Sequence, residues 1–249
     1  MRHPARALAG LLAALAAAPS SLALDPRRSV TQHGQDLWQT EQGLPQERVN
    51  AVLESREGYL WIGTMSGLAR FDGARFVRFD RSWGLTDNRV RAVAQAADGS
   101  LWVGAEKGVT RIRDGAAEAW GTKEGLSDEV VWTILADPDG SVWVGTENGL
   151  NRIAGGRVTV FGRREGLPSE RIQALAKDRD GALWVGTGDA GLARLVGSEV
   201  SVFGRADGLP SDQVSALHQD RAGTLWGGTY DGRRARREGG RFVPVPLPS

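Results

Sequence analysis

The chain of 249 residues contains no cysteine, and this absence excludes disulfide bonds, thiol catalysis and lipid attachment at a cysteine. Histidine is nearly as scarce, with three in the chain, so no zinc site built from His and Cys ligands can be assembled. We therefore expect no cofactor of this kind.

Charge of one sign is not in excess either. The chain has 31 Lys and Arg against 30 Asp and Glu. Binding to a phosphate backbone needs a concentrated basic surface. Nucleic acid is therefore not an expected partner.

Long hydrophobic runs are missing after the N-terminus. Residues 8–18 form an Ala/Leu run too short to span a bilayer; Arg2 and Arg6 precede it and small residues at 21–23 follow. This pattern is typical of a secretory signal. We predict a signal peptide at residues 1–23, a mature chain at 24–249 without a membrane span, and a periplasmic location, which suits a disulfide-free exported protein.

What the sequence does contain is a regular series of tryptophans. Trp61, Trp102, Trp143, Trp184 and Trp226 are separated by 41, 41, 41 and 42 residues, and each begins the phrase Trp-x-Gly-Thr or a variant of it. A period near 40 residues indicates a repeat array. The sequence divides into repeats at 43–83, 84–124, 125–165, 166–207 and 208–249.

Each repeat contains four short β-branched or aromatic segments separated by glycine-containing turns. We predict an all-β fold, a β-propeller of four-stranded antiparallel blades with about five repeats of 41–42 residues. A β-solenoid is the main rival, but its coils are shorter and lack these hairpin turns. The recurring Trp is interpreted as a buried spacer between blades, with its N–H donating to a neighbouring carbonyl.

The two ends of the array depart from the pattern. Residues 37–40 resemble an outer strand of a preceding blade, whereas the fifth repeat has its own outer strand at 242–247, interrupted by prolines. In that repeat, we align Arg233 and Arg236 with the apolar positions of Leu68 and Phe71. The fifth repeat is then a polar end cap, a poorly ordered edge or the product of a frameshift, and the alternatives for the array are a closed ring and an incomplete one.

Candidate ligand residues are those that vary against the constant repeat. Trp83 lies on a connecting loop where other repeats have Gln, Glu or Asp, and local packing on Arg81 is the alternative. Trp132 occupies an inner-strand position that is polar elsewhere, so it faces either the central channel or the core. Tyr230 falls in the loop after the Trp-Gly-Thr phrase.

Charged residues are also candidates at this rim. Glu106 and Lys107 occupy the loop of the second repeat that corresponds to the loop of Tyr230 in the fifth repeat. Arg89, with Arg48 and Arg171, begins an inner strand and is suited to holding a carboxylate or sulfate. Solvated surface arginines are the alternative.

No catalytic or metal site is predicted. The Asp-Gly turns at 137–140 and 178–181 resemble parts of calcium loops, but no distal Glu completes a bidentate ligand set. No Gly-x-Ser-x-Gly elbow is present. We therefore do not expect an enzyme.

The clearest repeat runs from Gly166-Leu167-Pro168 to Leu192-Ala193-Arg194-Leu195 and contains Leu-Trp-Val-Gly-Thr. This phrase resembles the two-component regulator propeller repeat. The resemblance covers residues 36–232 and implies a periplasmic sensor propeller, usually with seven blades. It further implies a carbohydrate or other small-molecule ligand and a membrane histidine kinase or diguanylate cyclase as the output.

The chain departs from that family plan because it has five repeats and no output domain. We therefore expect a ligand-sensing module that is either a truncated sensor or a stand-alone propeller. The alternatives are a protein-docking scaffold and a propeller enzyme similar to streptogramin lyases.

Overall fold

The structure is a computed structural model that describes residues 37–246. Its twenty strands form five separate antiparallel sheets of four strands each, and we number these sheets as blades 1 to 5 in chain order. The predicted all-β propeller is confirmed. The predicted signal peptide lies outside the described residues. No helix within 37–246 is long and apolar enough to cross a bilayer.

Each blade runs from an inner strand to an outer strand. The inner strands are β1 (Val49–Glu54), β5 (Val90–Gln95), β9 (Val131–Ala136), β13 (Ile172–Lys177) and β17 (Val214–Gln219). The second strands are β2 (Leu60–Thr64), β6 (Leu101–Ala105), β10 (Val142–Thr146), β14 (Leu183–Thr187) and β18 (Leu225–Thr229). The third strands are β3 (Gly67–Phe71), β7 (Gly108–Arg113), β11 (Gly149–Ala154), β15 (Leu192–Val196) and β19 (Arg234–Glu238). The outer strands are β4 (Phe76–Phe79), β8 (Ala116–Trp120), β12 (Arg157–Phe161), β16 (Glu199–Phe203) and β20 (Arg241–Val245).

A short 3₁₀ helix leads into each inner strand. These helices span Thr40–Gln42, Arg81–Trp83, Thr122–Glu124, Arg163–Glu165 and Arg205–Asp207. Each ends at a glycine in the left-handed region, such as Gly125 with φ of 104°, a conformation that favours glycine because it has no Cβ. The leucine that follows, Leu126 in this blade, is buried. The Gly-Leu pair of the repeat therefore turns the chain and anchors it in the core.

Four of the five recurring tryptophans, Trp61, Trp102, Trp143 and Trp184, lie between blades, as predicted. Trp102 belongs to one apolar cluster with Val142 and Val144 of the next blade. The expected carbonyl acceptor is wrong, however, because the indole N–H donates to a side chain: Trp184 Nε1 lies 2.8 Å from Asp178 Oδ2. The carboxylate at the first turn of the blade is a stronger acceptor than a carbonyl, and it lies within reach.

In blades 1 to 4, the glycine two positions after the tryptophan receives a side chain from the next blade. A Cβ placed on Gly145 would lie 2.6 Å from Cγ2 of Ile172, and a Cβ on Gly63 would lie 2.7 Å from Cγ1 of Val90. Val131 and Val214 occupy the matching sites at Gly104 and Gly186. A β-branched side chain in a glycine gap therefore closes every junction between consecutive blades.

The predicted outer strand at residues 37–40 is not formed. Residues 37–39 have no regular structure, and a 3₁₀ helix begins at Thr40. Trp38 packs edge-on against Phe71 and Phe76, with ring centroids 4.7 and 5.7 Å apart. Because blade 1 already has its own fourth strand, β4, the segment covers the outer part of that sheet instead of extending it.

The fifth repeat is a complete blade, and its predicted alignment is wrong by one residue. Arg234 lies opposite Gly228, as Leu68 lies opposite Gly63, and Arg236 lies opposite Trp226. The residues that replace Leu68 and Phe71 are therefore Arg234 and Arg237, not Arg233 and Arg236. The physical reason is a loop one residue longer after the second strand, which shifts every later position.

Arg237 shows how this blade accommodates a charge at an apolar position. Its guanidinium carbon lies 5.2 Å from the ring centroid of Trp184 in blade 4. A cation above an indole face is attracted by the ring quadrupole. The charge therefore replaces the apolar contact with the preceding tryptophan, and the outer strand β20 pairs with β19 along its length.

Consecutive inner strands pack side by side, in the order β1, β5, β9, β13 and β17. All five line a common channel of about 300 Å³. Within residues 37–246, β17 does not pack on β1 in the way that the other neighbours pack. The part of the chain that the structure describes therefore forms an open row of blades, with no packed junction between blade 5 and blade 1.

Candidate functional site

The candidate site lies at one end of the channel, where the inner strands begin. Here the loop between the second and third strands is tied to the start of the inner strand of the same blade. The amide of Gly188 donates to the carbonyl of Arg171 at 2.9 Å, and the amide of Tyr230 donates to the carbonyl of Gln213 at 3.0 Å. These main-chain hydrogen bonds fix the backbone of the loop, while the side chains that it carries differ from blade to blade.

Three positions of the repeat supply these side chains. The residue before the inner strand is Arg48, Arg89, Val130, Arg171 or Gln213. The second residue of the inner strand is Asn50, Arg91, Trp132, Gln173 or Ser215. The first residue of the loop after the second strand is Met65, Glu106, Glu147, Gly188 or Tyr230. No two blades present the same set, so the mouth of the channel is chemically asymmetric.

An ion-pair network crosses the mouth from blade 2 to blade 4. Glu106 binds both Arg89 and Arg91, with N–O distances of 2.5 Å in each case. The guanidinium carbon of Arg91 lies 4.2 Å from the ring centroid of Trp132. The indole N–H of Trp132 donates to Glu147 at 2.7 Å, and Glu147 also binds Arg171 at 2.9 Å. The indole is thereby fixed in orientation, with a cation on its face.

Beside this network lies a cavity of about 510 Å³. It is lined by Arg48, Arg91, Trp132, Arg171, Gln173, Gly188, Gln213, Ser215 and Tyr230. Three of its lining residues are arginines. Arg91 and Arg171 are paired with glutamates, whereas Arg48 makes no ion pair within residues 37–246. The cavity therefore offers a cation, two aromatic rings and several amide or hydroxyl groups to a ligand.

Two of the predicted ligand residues meet at this cavity. Trp132 forms part of its wall, and Tyr230 is 78% exposed at its edge. Trp132 lines both the channel and the cavity. Arg89 and Glu106 are joined to the cavity through Arg91.

Two other predicted residues lie away from the cavity. Trp83 is 59% exposed on the 3₁₀ helix before blade 2 and packs against Phe79, at 5.2 Å between ring centroids. Lys107 is not among the residues that line the cavity. It lies near Asp87, and the pKa of that carboxyl is lowered overall. Burial of Asp87 acts to raise the pKa, but hydrogen bonds from Arg89 and the charges of Arg89 and Lys107 outweigh it.

Several residues of the site were not among the predicted ligand residues. Arg91 occupies in blade 2 the position that Trp132 occupies in blade 3, so consecutive repeats place the two side chains next to each other. That adjacency was available from the 41-residue spacing. Gln213 and Gly188 could not be predicted in this way, because a glutamine or a glycine in a loop does not by itself indicate a ligand site.

The acidic turns at the opposite end of the blades are occupied by protein groups. Asp139 accepts from the Ser141 hydroxyl at 2.6 Å and from Arg152 at 2.6 Å. Lys177 donates to Asp137 at 2.7 Å and 2.5 Å. Within residues 37–246, no cluster of three or more His, Asp or Glu side chains has the geometry to hold a metal ion.

Comparison with protein families identifies the family of these repeats. The model described as "Two component regulator propeller" matches the chain five times, at residues 43–66, 84–107, 125–148, 166–189 and 208–231. The five repeats belong to the two component regulator propeller family. The matched segments contain the first two strands of each blade and the loop that follows, which are the parts that build the mouth of the channel.

Solved structures of other propellers have a similar fold. The extracellular domain of the hybrid two component system BT3049 from B. thetaiotaomicron is 24% identical to this chain with a TM-score of 0.67. The match covers 74% of this chain and 27% of that domain. The extracellular domain of the one component system BT4673 from the same organism is 19% identical with a TM-score of 0.68, and the match covers 81% of this chain and 31% of that domain. The chain thus spans less than a third of either domain.

Enzymes also share the architecture. Virginiamycin B lyase from Staphylococcus aureus, as the inactive H270A variant with quinupristin, is 17% identical with a TM-score of 0.68. The match covers 82% of this chain and 72% of the lyase. At these identities the likeness concerns the fold alone. No curated protein matches the chain significantly.

Proposed function

We propose that this propeller is the ligand-sensing module of a periplasmic two-component or diguanylate cyclase signalling system. The observation that carries the proposal is the asymmetric mouth of the channel in a repeat family named for two component regulators. The extracellular domains with the same fold support the location. The output domain is expected on a partner or on another part of a longer protein.

The ligand class follows from the cavity. Trp132 and Tyr230 present flat apolar surfaces, and Arg48 presents a cation without a partner among the described residues. A compact ring that carries a carboxylate or sulfate would satisfy both features, because an anion pairs strongly with a guanidinium. A carboxylated sugar belongs to this class.

A catalytic function is less well supported. The lyase variant in the comparison is inactive after substitution of a histidine. Within residues 37–246 the one histidine, His218, lies on the inner strand β17 and not on a loop at the mouth. We therefore propose binding and not turnover at this site.

Calorimetric titration with glucuronate and with glucose tests the proposal, since the two share a pyranose ring and differ by a carboxylate. We expect the wild-type chain to bind glucuronate more tightly than glucose. Trp132→Ala and Arg48→Gln should each weaken glucuronate binding at least about tenfold, the loss expected from a charge-assisted contact or a buried aromatic contact.

Trp83→Ala is the matched control, because it removes an equally large aromatic side chain that lies outside the cavity. It should leave glucuronate binding unchanged. Equal binding by the Trp132 and Trp83 variants would contradict the proposed site, and equal binding of glucose and glucuronate would contradict the role of Arg48.

A further inference from the structure

The four junctions between consecutive blades differ at the end of the blades that lies away from the mouth. Three of them are bridged there by a long basic side chain that donates to the neighbouring blade. The donors and acceptors are Arg56 and the Ala97 carbonyl at 2.8 Å, Lys177 and Asp137 at 2.7 Å, and Arg179 and the Ala222 carbonyl at 3.4 Å. These bridges join blades 1 and 2, blades 3 and 4, and blades 4 and 5.

The junction between blades 2 and 3 has alanine at both bridging positions. Ala97 has the place of Arg56 and Arg179 in the repeat, and Ala136 has the place of Lys177. Alanine is too short to reach the neighbouring blade. A cavity of about 580 Å³ lies at this junction, against about 270 Å³ at the junction that Arg179 bridges.

Two further departures from the repeat line the larger cavity. Trp120 occupies an outer-strand position that is phenylalanine in blades 1, 3 and 4, and it stacks on Trp102 with ring centroids 5.0 Å apart. Glu118 is the one acid among the five residues at its position, the others being valine, threonine or serine. Blade 2 therefore brings an acid and two indoles to one cavity.

Glu118 is the carboxylate that remains for a ligand. Asp98 and Asp139 also line the cavity, but they bind Arg111 and Arg152 at 2.7 and 2.6 Å. The Glu118 side chain is 62% exposed, and its oxygen lies 3.8 Å from Arg111, which is beyond hydrogen-bond distance. The cavity therefore presents one acid without a close protein partner among the described residues.

The cavity between blades 1 and 2 is similar in size, at about 520 Å³, but protein groups occupy its charges. Its acid Glu57 accepts from Gln95 at 3.0 Å. The guanidinium carbon of Arg70 lies 4.5 Å from the ring centroid of Tyr59. A charged ligand would have to displace these contacts, whereas Glu118 is available.

The junction between blades 4 and 5 shows which group fits beside the repeat tryptophan. Arg237 of blade 5 places its guanidinium carbon 5.2 Å from the ring centroid of Trp184 in blade 4. In blade 3 the same position is Ile153, which lines the cavity next to Trp102. Trp102 keeps the other cation of the repeat, Arg111 of its own blade, at 5.7 Å. The cation that the next blade supplies to Trp184 is therefore missing at Trp102.

We infer that the cavity between blades 2 and 3 binds a small organic cation, an ammonium group attached to an apolar ring. The ammonium group pairs with Glu118 beside the indole of Trp120, and the ring contacts Ile153 and Ala96. A carboxylate and an aromatic ring together select a cation over a neutral group of the same shape. This site is separate from the mouth, lies at the other end of the blades and takes a ligand of opposite charge.

Calorimetric titration of the full chain with 2-phenylethylamine and with 2-phenylethanol tests the site, since the two share a phenyl ring and differ by a charged ammonium group. We expect the amine to bind at least about fivefold more tightly than the alcohol, which is the contribution of a partly exposed ion pair and a cation–π contact. Glu118→Gln should remove this difference. Glu199→Gln is the matched control, because it removes an exposed carboxylate of an outer strand outside the cavity.

Ala97→Arg should weaken the binding of both compounds, because the new side chain would bridge the junction to the Pro138 carbonyl as Arg56 does to the Ala97 carbonyl. Trp132→Ala alters the mouth and should leave the binding of both compounds unchanged. No binding of the amine, equal binding of the amine and the alcohol, or equal amine binding by the two glutamate variants would overturn the inference. Unchanged binding by Ala97→Arg, or loss of amine binding in the Trp132 variant, would also overturn it.

Discussion

Blades 4 and 5 share one backbone and differ in what covers them. Trp184 of blade 4 and Trp226 of blade 5 each donate an indole N–H to a turn aspartate at 2.8 Å. Trp184 is 1% exposed because blade 5 lies on it, whereas Trp226 is only partly buried. The position of Leu192 is apolar in blade 4 and becomes Arg234 in blade 5. The comparison shows that the neighbour, and not the repeat itself, decides which positions must be apolar.

The largest expected effect comes from removing these two indoles. Trp184→Ala should lower the free energy of unfolding by about 3–5 kcal/mol, because it deletes a fully buried aromatic side chain. Trp226→Ala breaks an equivalent hydrogen bond but loses less packing, so it should cost roughly half as much. Urea denaturation of both variants measures the difference. Equal losses would show that the hydrogen bond, and not the cover by blade 5, determines the stability.

An intermediate effect is expected from filling the glycine gaps. Gly145→Ala places a Cβ 2.6 Å from Ile172 and from Thr133, so it should destabilise the fold by roughly 1–3 kcal/mol. Gly228→Ala is the same substitution at the open end and should change stability by less than about 0.5 kcal/mol. Neither glycine has a positive φ, so neither substitution places an alanine in the left-handed region. A costly Gly228→Ala, measured by thermal unfolding, would contradict an open face on blade 5.

The smallest effect concerns Asp98, which lies four residues before Trp102 in blade 2 and whose place in blade 5 is taken by Ala222. The Ser100 hydroxyl, then the Ser100 amide and Arg111, lower the pKa of Asp98 from 3.8 to about 2. A carboxyl whose pKa is lowered in the folded state stabilises the fold at pH values above its ordinary pKa. This contribution is lost as the pH falls towards the lowered pKa.

Asp98→Asn should therefore cost less than about 1 kcal/mol near neutral pH, since the group is partly exposed and solvent screens it. The difference from wild type should shrink between pH 4 and pH 2. Thermal unfolding at several pH values measures it. A difference that stays constant down to pH 2 would show that the ionised carboxylate contributes nothing.

Much of the fold could be predicted from the repeat because local chemistry recurs with it. The tryptophans, the turn glycines and the alternation of apolar residues each specify a strand or a turn. The ends were harder to predict. Residues 37–40 look like a strand by composition, but strand formation depends on a free sheet edge, which is a property of the assembled blades.

The site could be predicted only in part. Trp132 and Tyr230 stand out because they break the repeat, and the structure brings both to one cavity. Arg91 is as important for the geometry but looks like any surface arginine in the sequence. Its stacking on Trp132 depends on the rotation from one blade to the next, which no single repeat encodes.

The glycine gap has a consequence for how such chains change over generations. Every interior junction uses the same two parts, so a gene that gains or loses a whole repeat by unequal recombination still encodes matching neighbours at the new seam. The number of blades can therefore vary without the invention of a new interface. The mouth of the channel, in contrast, would lose or gain one unique set of side chains with each such event, and its chemistry would change in a single step.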